Sequence, residues 1–229
     1  LGGFNINESG TVNNTNSDTL MTNSGSAGLN VHGTITNGGK LEISNTGNNG
    51  FNTTGSISSD GNIITTNTGS RGTNLSSTGR ITGQKDININ DRSNGGVNIK
   101  GIVKADKQNI NIIAEGGNVT IGDNTSNNNY VNAKQNVDID VKNGSILNYG
   151  VEKILIKADG NLTMNAENGT IGLPVQQNAC TGSGCTGIGP KTDGARDFTK
   201  SINAQVTGKV NAHTKDVAET GNDLVINYA

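Results

Sequence analysis

The sequence has very few aromatic residues, and this scarcity limits the kind of core it can form. Trp is absent and aromatics make up 3% of the 229 residues, whereas Gly numbers 34. Globular enzymes of this size usually depend on large aromatic side chains for buried area. The apolar residues here are mainly Ile, Val and Leu, scattered singly or in alternation. This composition predicts a narrow core of thin layers rather than one thick core.

Net charge and long apolar runs are also scarce. The formal net charge is −2, which gives no electrostatic footprint for nucleic acid or an anionic membrane. No apolar run approaches the length of about 18 residues that spans a bilayer. The low hydrophobicity is compatible with disorder, but apolar and polar residues alternate, as in DININ (86–90) and NVDIDV (136–141). Such alternation favours strands with one buried face.

A strand-like phrase recurs along the chain. GKLEISNTG begins at Gly39 and GNIITTNTG begins at Gly61, and both end on Asn-Thr-Gly. The first apolar residue of each such phrase recurs every 21–27 residues, at Leu20, Leu41, Ile63, Ile87, Ile110, Val137 and Leu162. Two shorter phrases, such as GLNVHG (28–33) and GTITNGG (33–39), complete each period. A fixed period of this length indicates a repeat architecture.

Each period predicts three short strands separated by corners of Gly, Asn and Asp, which tolerate sharp bends. Three strands per coil of 21–27 residues predict an all-β fold, a parallel β-helix. Its coils would stack about 4.8 Å apart, with inward Ile, Leu and Val in columns. Asn45 and Asn67 occupy matching corners and are predicted to form an amide ladder. An antiparallel sandwich also has many short strands, but it does not require this recurring register.

Two segments interrupt the pattern. The polar run Asp123–Gln135 predicts a surface loop. The segment Leu173–Lys200 contains both Pro and both Cys residues, so we expect coils over 1–172, an irregular insertion over 173–200, and a return to strands over 201–229. In the last part, Ile202, Ala204 and Val206 are expected to face one way. If any part of the chain contacts a partner, we expect it to be one of the two interruptions.

The two cysteines, Cys180 and Cys185, lie close together within the insertion. We predict that they form a local disulfide, as extracellular proteins commonly do. Free thiols remain an alternative. A metal site is a further alternative, but it would need additional ligands nearby.

Candidate catalytic residues are few. Carbohydrate-active β-helix enzymes need clustered carboxylates, and the candidates, all expected on strands, are Asp86, Asp91, Asp138 and Asp140. Asp138 and Asp140 alternate with inward residues, so we expect them to face solvent. We therefore expect no enzymatic activity and no cofactor or metal. Asn-x-Ser/Thr triplets are expected by chance in a chain so rich in Asn and Thr; they begin at Asn52, Asn74, Asn118, Asn124, Asn161 and Asn168.

The coil style of ADGNLTMNAENGTIG (158–172) resembles filamentous-haemagglutinin-like exoproteins. ARDFTKSINAQVTGKVNAHT (195–214) is similar to leukotoxin-type filamentous adhesins of the same broad group. The resemblance implies a long, secreted, right-handed β-helix. It also implies two-partner secretion through an outer-membrane β-barrel partner and display on the bacterial cell surface.

These features together predict a structural or interaction segment of a large bacterial adhesin. The segment would be a stiff rod that displays a binding or effector region toward a receptor or glycan on a host or neighbouring cell. Because the chain begins at Leu1 rather than Met, we expect it to be a piece of a longer or processed protein. Two alternatives remain, a subunit of a self-assembling extracellular filament and a carbohydrate-active β-helix enzyme.

Overall fold

The computed structural model describes residues 2–122, 131–148, 154–172, 191–192, 195–196, 202–214 and 226–228. Strands make up its regular secondary structure, and no helix occurs among these residues. In chain order the strands are β1 (Phe4–Ile6), β2 (Thr11–Asn14), β3 (Thr19–Asn23), β4 (Leu29–Val31), β5 (Thr34–Asn37), β6 (Leu41–Asn45), β7 (Phe51–Thr53), β8 (Ser56–Ser59), β9 (Ile63–Asn67), β10 (Thr73–Leu75), β11 (Arg80–Gly83), β12 (Ile87–Asp91), β13 (Val97–Ile99), β14 (Ile102–Ala105), β15 (Ile110–Ala114), β16 (Val119–Ile121), β17 (Val131–Ala133), β18 (Val137–Val141), β19 (Ile146–Asn148), β20 (Ile156–Ala158), β21 (Leu162–Ala166), β22 (Lys191–Thr192), β23 (Ala195–Arg196), β24 (Ile202–Val206), β25 (Val210–Thr214) and β26 (Ile226–Tyr228).

Strands β1 to β21 form successive triplets, which we call coils 1 to 7, so that coil 1 consists of β1, β2 and β3. The first strands of the coils pair into a seven-stranded sheet, sheet 1. The second strands, with β24 and β26, form the nine-stranded sheet 2, and the third strands, with β25, form the eight-stranded sheet 3. Every pairing within these sheets is parallel. The predicted parallel solenoid with three strands per coil is therefore confirmed, whereas its handedness stays a prediction.

Corresponding residues of successive coils pair directly. The column that begins at Leu41 continues through Ile63, Ile87, Ile110, Val137 and Leu162. The prediction that Leu20 heads this column is wrong, because Thr19 is the partner of Leu41. A shift of one residue in a strand moves a side chain to the opposite face, and Leu20 is accordingly 66% exposed.

The core is a stack of thin layers. In a complete coil, sheets 1 and 2 each direct two side chains inward and sheet 3 directs three. The inward residues of successive coils form one continuous apolar cluster that extends from Ile6 to Ala204. Because each coil packs only on its neighbours, this core grows in length without growing in thickness.

One inward column of sheet 3 is polar in coils 1 to 4. Asn23 Nδ2 donates to Asn45 Oδ1 at 2.7 Å, Asn45 Nδ2 donates to Asn67 Oδ1 at 2.8 Å, and Asn67 Nδ2 donates to Asp91 Oδ2 at 2.9 Å. Each amide also holds its own corner, since Asn45 Nδ2 donates to the Gly47 carbonyl at 3.0 Å and Asn45 Oδ1 accepts from the Gly47 N–H at 3.2 Å. The predicted ladder between Asn45 and Asn67 is confirmed.

Asp91 ends this ladder. Its side chain is fully buried and also accepts from Thr73 Oγ1 at 2.7 Å, from the Ser93 N–H at 2.9 Å and from the Ser93 hydroxyl. The side chain of Asp91 has no N–H group to donate to the next coil. It therefore suits the last place in a row of amides that each donate to the next.

Glycine closes the corner between sheet 3 and sheet 1. Gly50 has φ +76°, a backbone conformation that side chains with a Cβ rarely adopt. A Cβ at this position would also meet the carbonyl oxygen of Gly72 in the next coil. The close stacking of corners and the left-handed backbone both require Gly here.

The two predicted interruptions differ in how far the structure describes them. Val131–Ala133 pairs with β14 and β20 as part of sheet 2, and 134–135 form the next corner, so the predicted loop Asp123–Gln135 extends too far. The alternation of Val131, Asn132 and Ala133, with the middle residue outward, makes them a strand. Residues 123–130 lie outside the described part.

The insertion predicted over 173–200 is described only at β22 and β23, which pair in antiparallel fashion. Beyond it the chain rejoins the solenoid, because β24 pairs with β20 and β25 pairs with β21. Ile202 and Ala204 are buried, and Val206 packs against the core, as expected.

Candidate functional site

The connections between sheet 1 and sheet 2, which we call corner 1–2, vary most in length. In coils 2, 3 and 5 the connection is short, consisting of 32–33, 54–55 and 100–101. Between β16 and β17 and between β19 and β20 it is longer, consisting of 122–130 and 149–155. Residues 172–201 lie between Ile171, which bridges Ile146 of sheet 1, and β24 of sheet 2. Both interruptions that the sequence predicted as partner contacts therefore attach at the same edge of the solenoid. Their central residues, and Cys180 and Cys185 with them, lie outside the described residues.

The outer face of sheet 1 carries a second amide ladder. Asn30, Asn52, Asn74 and Asn98 each donate through Nδ2 to the Asn of the preceding coil, at 2.7, 2.9, 3.1 and 2.9 Å. The same Nδ2 of Asn52 also donates to the Asn49 carbonyl at 3.1 Å. Each of these amides donates a hydrogen bond to the preceding coil, so the ladder stiffens the outer face of sheet 1. A shallow depression of about 500 Å³ lies over it, lined by Ala27, Asn30, Asn49, Asn52, Arg71 and Asn74.

The outer faces of sheets 2 and 3 differ in charge. Among the side chains described, the charged outward residues of sheet 2 are basic, namely Arg80, Lys104 and Lys157. Those of sheet 3, His213 aside, are acidic, namely Glu42, Asp138 and Asp140. The prediction that Asp138 and Asp140 face outward is confirmed, since only the residues between and beside them are buried. Asp86, expected on a strand, lies instead in the corner before β12.

Ion pairs connect residues of the same or neighbouring coils. Lys134 Nζ lies 2.6 Å from Asp159 Oδ2, and this hydrogen bond lowers the pKa of Asp159 and raises the pKa of Lys134. Lys40 Nζ lies 2.8 Å from Glu42 Oε2, and the hydrogen bond to Glu42 raises the pKa of Lys40. These pairs are exposed, and pairs of this kind add little to stability.

The described residues contain no group of three or more His, Cys, Asp or Glu side chains that could hold a metal ion. Asp91 is buried and accepts its hydrogen bonds from the ladder and the adjoining corner. Asp138 and Asp140 project from one strand, and Asp140 Oδ1 accepts from Asn165 Nδ2 at 2.9 Å. Asp91 and Asp140 thus each accept a hydrogen bond from a neighbouring coil. Asp91 lies inside the solenoid and shares no surface with Asp138.

The Asn-x-Ser/Thr triplets also serve the stacking of coils. Asn118 Oδ1 accepts from the Ser145 N–H at 2.9 Å, and Asn161 Oδ1 accepts from the Lys209 N–H at 2.8 Å. Asn168 Nδ2 donates to the Lys142 carbonyl at 2.9 Å. Asn52 and Asn74 belong to the outer ladder, whereas Asn124 lies outside the described residues.

Fold and surface together define a three-sheet parallel β-solenoid with amide ladders inside and outside. Comparison with known proteins finds no protein-family model, no curated protein and no solved structure that matches this chain. In the described ranges, no helix is long and apolar enough to cross a membrane.

Proposed function

We propose that this chain is a shaft segment of a large secreted bacterial surface adhesin of the filamentous-haemagglutinin-like type. Its role is mechanical and interactive rather than enzymatic: it forms a stiff rod that holds a binding or effector region away from the cell. The proposed location is the bacterial cell surface, reached through an outer-membrane β-barrel secretion partner. The proposed target is a receptor or glycan on a host or neighbouring cell.

The observation that carries this proposal is the continuous parallel pairing of coils 1 to 7 in all three sheets. Contacts between neighbouring coils suffice to hold such a stack, so evolution can lengthen it without redesigning the core. Backbone hydrogen bonds along the axis, together with the inner and outer amide ladders, resist bending. Length and stiffness are the properties that a spacer needs.

The outer surface also favours a spacer. Most outward positions carry Asn, Thr, Ser or a charged side chain, and the large exposed hydrophobic residues of the described part are Leu20, Ile113 and Ile154. These three lie in different coils and form no contiguous patch. A hydrated surface without large apolar patches limits non-specific adhesion.

Electron microscopy of the full-length native product, on and off the cell, tests the proposal. Long unbranched rods, each made of one chain, are the expected result. Polymers of many short chains would refute it and favour the filament-subunit alternative instead. Cleavage of surface polysaccharide by the purified product would favour the enzyme.

A deletion tests whether the insertion 173–200, which attaches at corner 1–2, carries the adhesive element. In the full-length protein, residues 173–200 are removed, and host-cell binding is expected to be lost while the rod seen by microscopy persists. The control replaces the outward Asp138 and Asp140 of sheet 3, away from corner 1–2, by Asn, which should leave binding unchanged. Binding that survives the deletion would show that the adhesive element lies elsewhere.

A further inference from the structure

The interior of the solenoid changes character along its axis. Of the buried polar residues in the described part, all but Asn148 belong to coils 1 to 4 or to the corner that follows coil 4; they are Asn23, Asn37, Asn45, Thr53, Ser59, Thr65, Asn67, Thr73, Asp91 and Ser93. The inward column that contains Asn23, Asn45, Asn67 and Asp91 continues in coils 5 to 7 as aliphatic residues, namely Ala114, Val141 and Ala166. Apart from Ser93 and Asn148, the buried polar residues of the described part therefore end at Asp91.

Coil 3 has the most polar interior. Its inward apolar residues are Phe51, Ile57 and Ile63, and its other inward residues are polar, namely Thr53, Ser59, Thr65 and Asn67. Moreover, Thr53 Oγ1 and Thr65 Oγ1 are buried without a hydrogen-bond partner. A buried hydroxyl that loses its water partners and gains none in return weakens the folded state.

Coils 5 and 6 show the opposite pattern. All their inward residues are aliphatic and almost fully buried; they are Val97, Ile99, Val103, Ala105, Ile110, Ile112, Ala114, Val119, Ile121, Val131, Ala133, Val137, Ile139 and Val141. Burial of apolar area is the dominant favourable term in folding. Each of these coils therefore gains more from stacking than coil 3 does.

We propose that the solenoid consists of two cooperative units that meet between Asp91 and Ala114. The unit formed by coils 1 to 4 opens before the unit formed by coils 5 to 7. In a stack whose coils contact only their neighbours, stability is a sum of local terms, so a change in interior composition creates a boundary for opening. Coils 1 to 4, whose interior is partly polar, are then the part of the rod that opens first. This inference rests on the interior of the fold and not on the proposed adhesin function.

Native-state hydrogen exchange of the whole chain, followed by mass spectrometry at increasing urea, tests this inference. The strand amides of coils 3 and 4 are expected to exchange at least about tenfold faster than those of coils 5 and 6. They should also become exchangeable at lower urea. One common rate and urea dependence for all four coils, or earlier opening of coils 5 and 6, would overturn the proposal.

A pair of adjacent threonines provides matched variants. Thr65→Val removes the unpartnered inward hydroxyl and should slow exchange in coils 3 and 4 while leaving coils 5 and 6 unchanged. Thr66→Val alters the neighbouring outward side chain of the same strand and should change neither region. Equal slowing of all four coils by Thr65→Val would mean that the solenoid opens as a single unit.

Discussion

The inner ladder allows a sharp test of how buried amides stabilise the stack. Asn45→Asp changes one side-chain group at nearly constant volume. The amide Nδ2 that donates to Asn67 Oδ1 at 2.8 Å and to the Gly47 carbonyl at 3.0 Å becomes an oxygen. Each acceptor then loses one of its two donors, since Asn67 Oδ1 keeps the Gly69 N–H and the Gly47 carbonyl keeps the Gly50 N–H. Both acceptors also face a carboxylate in a site that is 1% exposed. One hydrogen bond contributes about 0.5–1.5 kcal/mol net, so the loss of two predicts a destabilisation of about 1–3 kcal/mol.

The outer ladder supplies the control. Asn52 Nδ2 makes the same kind of bonds, to Asn30 Oδ1 at 2.9 Å and to the Asn49 carbonyl at 3.1 Å, but water can reach this half-buried side chain. Asn52→Asp should therefore cost less than about 1 kcal/mol, because water replaces the lost donor.

Urea unfolding followed by circular dichroism measures both variants against the unaltered chain. Lower pH should return part of the stability of Asn45→Asp, because a protonated carboxyl can again donate one hydrogen bond. Equal destabilisation by the two variants at neutral pH would refute the claim that the inner ladder depends on the exclusion of water.

Three further variants test single contacts. Thr65→Val should raise the free energy of unfolding by about 1 kcal/mol, because its buried hydroxyl has no partner; a loss in urea unfolding would contradict this. Lys134→Met should raise the pKa of Asp159, read by NMR titration, because the Lys134 hydrogen bond lowers it; an unchanged value would show that the pair is not formed. The pair therefore stabilises the fold above the pKa of Asp159 in the unfolded chain, and this gain is lost as pH falls through the lowered pKa of the folded state. Gly50→Ala should cost about 2 kcal/mol or more at φ +76°, whereas Gly2→Ala, with open space around the added Cβ, should cost little in the same assay.

Much of the fold could be predicted from the sequence, because each coil repeats the same geometric requirement. The column from Leu41 to Leu162 follows from alternation and a recurring period. Leu20 does not continue this column, because coil 1 begins its third strand with Thr19, a polar residue in an inward position. Apolar character alone does not reveal that register, whereas the matching Asn residues do, since Asn23 lies four residues after Thr19 and Asn45 lies four residues after Leu41.

The role of Asp91 was not predicted. Residue type alone makes Asp91 a candidate catalytic carboxylate, although it occupies the place that Asn45 and Asn67 hold in the Asn-Thr-Gly phrases. The sequence signal was therefore present in the spacing. The hydrogen bonds that a buried carboxylate needs come from Thr73 and Ser93, and these contacts emerge only when coil 4 is folded.

The shared attachment of the long connections at corner 1–2 also depends on three-dimensional register. The sequence predicts where chain leaves the strand pattern, but the boundary at Val131 requires knowledge of which residues pair with Val103. A short apolar triplet beside an Asn-rich run carries too little pattern to be recognised as a strand.

Disulfide trapping between neighbouring coils tests the central claim, the stacking of successive phrases in register, most directly. In a chain with Cys180→Ser and Cys185→Ser, the pair Ser44→Cys and Thr66→Cys places two thiols at partnered, outward positions of adjacent strands. Strands about 4.8 Å apart lie within the reach of a disulfide, whereas positions two coils apart, at about 9.6 Å, lie beyond it. Mild oxidation should therefore bridge this pair but not the pair Ser44→Cys and Asn90→Cys, as peptide mass mapping would show. Bridging of the second pair in preference to the first would contradict the stacked solenoid.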